Sequence, residues 1–240
     1  MRPDANRSRS AMRIPSARGR VPRQQLGLTP REFAILEALH SPQLVQEFVS
    51  AIPINHELGG ETVLSVRDVL QLRRAHCIEG AFVAACALWI HGEPPLVMHL
   101  DCDPSDYPHV VALYRRRGFW GAISKSNGAV LRFRDAVYRS LRELAMSYLH
   151  EYCDADGRKT LRSYSGAFDL RRVDPAQWLT NADGCWATHD RLAALRHYPL
   201  VSAGQARGLA PRDRFERAAA SIVEYPRPAV QARIRRRRKR

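Results

Sequence analysis

Apolar residues in the first half of the chain recur at helical spacing, and each run is preceded by a capping signal. Thr29-Pro30-Arg31-Glu32 reads as a helix start, with Thr29 as N-cap, Pro30 at the first helical position and Glu32 closing a capping box. Phe33, Leu36 and Leu39 form the buried stripe of that helix, and Ser41-Pro42 opens another through Leu44, Val45, Phe48 and Val49. Ser65, with Asp68 three residues on, caps a third through Val66, Val69, Leu70 and Leu72. A fourth begins at Cys77 and carries Gly80, Ala81, Ala84, Ala85 and Leu88, a stripe small enough for close backbone approach. This helix is expected at the centre, packed on a sheet and stopped by Gly92 and Pro94-Pro95.

The pattern then shortens. Leu96 to Leu100 reads as a strand, 101–108 as an acidic loop, and Val110–Tyr114 with Phe119–Ile123 as a hairpin turning at Arg115 to Gly118. Val130 to Phe133 reads as a further strand, and an amphipathic helix is expected from about Asp135 to Tyr152. Beyond Cys153 the periodicity weakens. Asp174-Pro175 opens a short helix containing Trp178, and Thr188 caps one through Leu192, Leu195 and Tyr198. The expected divisions are a disordered basic tail over 1–25, a main domain with helical preface over 26–153, a loop-rich extension over 154–215, and a disordered Arg-rich tail over 216–240.

Charge changes this picture only at the ends. Residues 1–23 contribute +6 and residues 227–240 contribute +8, the whole of the net +14, so residues 24–226 are neutral. Such tails can contact nucleic acid or acidic surfaces through counterion release, while a solvated, disordered end is the plainer reading. Five scattered cysteines without a CxxC pair or a secretory signal point to reduced thiols in a cytoplasmic protein. No apolar run is long enough for a membrane span, and no Cys or His spacing suits a zinc site. No cofactor is expected.

The candidate chemistry lies in Arg74-Ala75-His76-Cys77-Ile78-Glu79-Gly80 and in Asp106-Tyr107-Pro108-His109. A helix N-terminus favours a thiolate, which makes Cys77 a candidate nucleophile, and His109 opens a strand where it can act as base. The hairpin returns Ser124, Ser126 and Asn127 beside His109, so the residue that orients the imidazole is sought among them. His76 is a rival base, ranked lower because adjacent helical residues point apart; Glu79 is read as structural. Asp101, Asp103 and Asp106 could orient His109 or hold a cation, though a solvated loop is the simpler reading. Cys86, Cys102, Cys153 and Cys185 read as structural.

Over roughly residues 60–135, the order Cys-x-Glu at a helix start, a strand, then His on a hairpin with a Trp near its end resembles the bacterial transglutaminase-like, papain-fold superfamily. The resemblance implies an α+β core in which the helix carrying Cys77 packs on a small antiparallel sheet. It implies Cys77 as nucleophile and His109 as base. The family's third residue, normally Asp, falls on Ser124 when counted from Trp120, and Asn127 is the alternative, as Asn serves in papain-like enzymes. Gln71, six residues before Cys77, stands at a spacing reminiscent of the papain oxyanion-hole amide. The expected activity is hydrolysis or acyl transfer at an amide or thioester of a peptide or protein, without a cofactor. The rivals are a non-catalytic scaffold that binds a protein or peptide, favoured by the missing acid at 124, and a nucleic-acid-associated protein acting through its tails.

Overall fold

The computed structural model describes Gly19 and residues 21–228. The helices are α1 (Arg23–Leu26), α2 (Pro30–Glu37), α3 (Pro42–Ala51), α4 (Val66–Leu72), α5 (Cys77–Ile90), α6 (Leu141–Met146), α7 (Ala176–Leu179), α8 (Trp186–Ala193), α9 (Ala203–Arg207) and α10 (Arg214–Ala220). The strands are β1 (Leu96–Cys102), β2 (His109–Arg116), β3 (Phe119–Ile123), β4 (Arg134–Tyr138), β5 (Leu161–Ser165), β6 (Phe168–Asp169) and β7 (His197–Pro199). Together they make an α+β fold around one antiparallel seven-stranded sheet, ordered β4-β3-β2-β1-β5-β7 with β6 also paired to β1. The tails expected to contact nucleic acid lie outside the described residues over 1–18 and 229–240. No helix among the described residues is long and apolar enough to cross a membrane.

Local chemistry fixes the starts of the first helices. Thr29 accepts from the Glu32 N–H while Glu32 reaches back to the Thr29 N–H, and at α3 and α4 the Ser41 and Ser65 hydroxyls accept from the N–H groups of Leu44 and Asp68. Glu32 also binds Arg67 Nε at 3.0 Å, tying α2 to α4.

Every residue of α5 from Ile78 to Ile90 is buried, so the helix has no solvent face. It lies between the sheet on one side and the preceding helices on the other, with Phe82 and Trp89 packed against the fully buried Trp178 of α7. Truncating Trp178 would remove a core ring worth about 3–5 kcal/mol. Gly80 is required here: a Cβ at that position would stand 2.5 Å from Lys125 Cβ, so the helix start can approach the end of β3 only without a side chain. The opposite sheet face holds a second core of Met98, Val111, Trp120, Leu144 and Tyr148.

Several expected elements differ. The helix expected from Asp135 to Tyr152 is confined to α6, because residues 134–138 pair with β3 as a strand and Ser140 caps the helix only afterwards. Consequently 130–133 is not a strand, the place beside β3 being taken by β4. The 154–215 stretch supplies β5, β6 and β7, three strands too short for their periodicity to register against the surrounding loops. Tyr198 belongs to β7, and α8 starts at Trp186, with Thr188 buried inside it. Order also continues past residue 215 through α10 and on to 228.

Candidate active site

The approach to Cys77 is set by backbone geometry. Arg73 takes a left-handed conformation, φ 55°, which ends α4 and turns the chain sharply. Ala75 then bridges to Ile54, its N–H donating to Pro53 O and its carbonyl accepting from the Asn55 N–H. His76 follows as an extended N-cap (φ −99°, ψ −168°), and Cys77 is the first residue of α5.

Beneath this start lies Glu79, fully buried. Its carboxylate accepts from the His76 N–H (2.8 Å), the Leu64 N–H (2.9 Å), the Thr62 hydroxyl (2.8 Å) and Asn55 Nδ2 (3.2 Å), and it pairs with His76 Nε2 at 3.2 Å. Burial alone would raise its carboxyl pKa, but the bond and charge of His76, with the two N–H donors, hold it below the ordinary value. Glu79 is therefore an anion that both caps α5 and anchors an imidazole.

That imidazole is unusual. His76 Nε2 donates to Thr62 O at 2.8 Å, and Nδ1 lies 3.9 Å from Cys77 Sγ. Burial pushes the ring toward neutrality, but bonds to Cys77 and Glu79 outweigh it and raise the pKa to about 11. The ranking of His76 below His109 assumed a helical residue. As an extended N-cap its side chain instead folds back beside the sulfur.

His109, buried at the first position of β2, approaches from the other direction. The loop before it is fixed by Asp106, which accepts from Thr160 Oγ1 at 2.6 Å, and by the Tyr152 hydroxyl, which donates to Tyr107 O. His109 Nε2 lies 2.8 Å from Ser124 Oγ, whose own proton goes to Leu131 O at 2.5 Å. With that proton committed, the serine oxygen accepts, which assigns the hydrogen to Nε2 and leaves Nδ1 as the basic nitrogen. Gln46 in turn brackets Ser124, receiving its N–H and donating to its carbonyl, both at 2.9 Å.

Cys77 is half-buried, with its sulfur 4.0 Å from Pro108 O. Burial raises a thiol's pKa, but hydrogen bonds from His109 and then His76, with the charge of both rings, bring it well below the ordinary value. The sulfur thus sits beside two imidazoles that both lower its pKa.

The remaining expected residues are distributed elsewhere. Asn127 does not face His109; its Oδ1 accepts from the Tyr225 N–H at 2.9 Å and its Nδ2 donates to Tyr225 O at 3.0 Å. Gln71 is exposed on α4 and does not line the cleft at Cys77. Asp101 accepts from Ser163, and Asp103 accepts from the Ser105 N–H and pairs with Arg162. Cys86 is buried among apolar side chains, its thiol pKa raised by burial, and Cys102 and Cys185 are pushed up to about 11 and about 12. His76 was weighed only as a rival base, and Asn55 and Thr62 were missed as partners of the site. The His76-x-x-Glu79 spacing of a capping box was the signal available for His76.

Cys77 and His109 open onto a cleft of about 690 Å3, also lined by Tyr107, Leu131, Glu151 and residues of α10. No family model matches the chain, and no curated protein does.

Proposed function

We propose that the protein is a cysteine hydrolase or acyl transferase, related in its core to the transglutaminase-like, papain-fold enzymes, that acts on an amide or thioester through an acyl-enzyme. The observation that carries this reading is the Cys77 thiol, held well below its ordinary pKa at a helix start beside two imidazoles. The order of parts agrees with it: nucleophile at the start of a buried helix, base at the start of a strand, orienting group at the end of the next strand.

The chemistry follows. Any proton on Cys77 passes to His109 Nδ1, and the thiolate attacks the carbonyl carbon. As first residue of α5, Cys77 has a backbone N–H without an intrahelical acceptor, and this group faces the charge that develops on the carbonyl oxygen. The amine or thiol leaves with the proton from His109, and a thioester to Cys77 remains. Water or an acceptor amine then attacks the thioester, gives its proton to His109, and the thiolate is regenerated. Ser124 keeps the imidazole in the required tautomer, and the His76 cation favours the thiolate as nucleophile and as leaving group.

A second reading, a scaffold that keeps the fold without turnover, draws on the neutral Ser124 at the position where an acid would steady an imidazolium. Incubation with p-nitrophenyl acetate separates the two. The catalytic reading expects an acetyl adduct on Cys77 that forms and clears, with His109→Ala slowing its formation by about a hundredfold or more. Absence of the adduct from the folded wild-type protein sinks the catalytic reading and leaves the scaffold.

A further inference from the structure

Part of the wall of the cleft that Cys77 lines comes from the end of the described chain. Asn127 pairs with the Tyr225 backbone, the Glu224 N–H donates to Asn127 O at 2.8 Å, and Gly128 bridges to Val223. The Arg212 N–H donates to Gly157 O at 2.9 Å. These contacts fasten α10 and its flanks across the mouth of the cleft.

Two charged side chains on this strap line the cleft, Arg212 and Arg217. Both stems lie over Gly157: a Cβ there would meet Arg217 Cδ at 3.1 Å and Arg212 Cβ at 3.3 Å. Gly157 also has φ +81°, so this seat is built for the arginine stems and not for a side chain of its own. Neither guanidinium has a carboxylate partner among the described residues; Arg212 Nη2 donates to Glu151 O at 2.6 Å.

The acids of the same cleft are occupied. Glu151 pairs with Arg134 at 2.6 Å and accepts from the Leu131 N–H. Asp154 binds Arg158 Nε at 2.9 Å and two backbone N–H groups. Asp106 accepts from Thr160 and the Tyr107 N–H. The cleft that Cys77 lines therefore offers the guanidinium groups of Arg212 and Arg217 without a carboxylate partner, while Lys125, which also lines it, turns its Nζ to the carbonyls of Ser50 and Ile52.

We infer that this cleft recognises a carboxylate, and that the substrate of Cys77 is an acidic peptide whose side-chain carboxylate is held by Arg217 and Arg212 while its carbonyl lies at the sulfur. The inference rests on the reading of Cys77 as nucleophile and adds the substrate class. An exposed ion pair of this kind is worth up to about fivefold per arginine at low salt, falling as salt screens it.

The test compares two alkylating probes of one size, the α-amides of bromoacetyl-glutamate and bromoacetyl-glutamine. In each, the Cys77 sulfur displaces bromide from the methylene carbon. The ratio of their second-order rates on the full chain, divided by the same ratio on glutathione, measures preference for the carboxylate. We expect a preference of about fivefold or more at low salt. It should fall to near one in Arg212→Gln/Arg217→Gln and in high salt, and persist in Arg217→Lys. A wild-type preference of one overturns the inference. So does a preference that the double variant keeps, since it would then come from the His76 cation. Slow reaction of Cys77 with both probes would instead sink the nucleophile reading, and the ratio would still judge the arginines.

Discussion

Cys77 and Cys86 stand nine residues apart on one helix, and their surroundings push the same group in opposite directions. Burial raises the thiol pKa at both. At Cys86 nothing opposes it, because the flanking side chains are apolar, and the thiol stays protonated. At Cys77 the hydrogen bonds and charge of His109 and His76 reverse the sign. Acidity is thus a property of the first turn of α5 and not of the helix or of cysteine burial.

The comparison can be broken most directly by alkylation. In the native protein at pH 6.5, iodoacetamide should modify Cys77 at least about a thousandfold faster than Cys86, given the thiolate fractions that such opposed shifts imply. Peptide mapping by mass spectrometry before and after denaturation reads the ratio, and similar labelling of both would show that the first turn has no special field.

The next largest effect concerns the anion beneath that turn. Glu79→Gln leaves the His76 cation buried without its counter-charge and should cost about 3–5 kcal/mol in urea unfolding. The sign with pH follows from both shifts. The Glu79 carboxyl is held below its ordinary 4.5, so its contribution is present above that value and is lost as pH falls through the lower folded one. His76 is raised from 6.5 to about 11, so its contribution is complete below 6.5 and is lost as pH rises through about 11. The gap between wild type and Glu79→Gln should therefore be widest between pH 4.5 and 6.5. A gap that does not change with pH would mean that the carboxylate acts only as a neutral cap could.

The smallest expected effect sharpens the comparison at the base. Ser124→Ala removes one hydrogen bond to His109, worth about 1 kcal/mol, and should slow Cys77 alkylation by up to about tenfold while leaving Cys86 unreactive. An unchanged rate would assign the orientation of His109 to the β2 backbone and its packing.

Much of the helical half was legible because its determinants are local. Thr29 with Glu32, Ser41 with Pro42, and Ser65 with Asp68 each satisfy helix ends within four residues of themselves, and the small apolar run after Cys77 marks a helix buried all round. The hairpin of β2 and β3 was equally plain from two apolar runs around Gly118. Strands β5 to β7 were not, since runs of two to five residues carry no period and depend on the open edge of β1, for β5 and β6, and of β5, for β7, to pair at all. At the site, Cys77 and His109 could be picked out by residue type and element start. Ser124 and Asn127 could not be told apart, because both lie in the same turn and only the partner decides between them. One meets an imidazole on β2, and the other meets the backbone of Tyr225, 98 residues away.

The sequence by itself determined where α2 to α5 begin, which helix is central and which thiol stands at a helix start, since caps, periodicity and glycine fit act over a few residues. Only the tertiary structure decided what surrounds that thiol. The His76 ring, the buried Glu79 with Asn55 and Thr62, the Ser124 bond and the arginine strap are all set by hydrogen bonds and close contacts between segments far apart in the chain, and such contacts leave no period in the sequence.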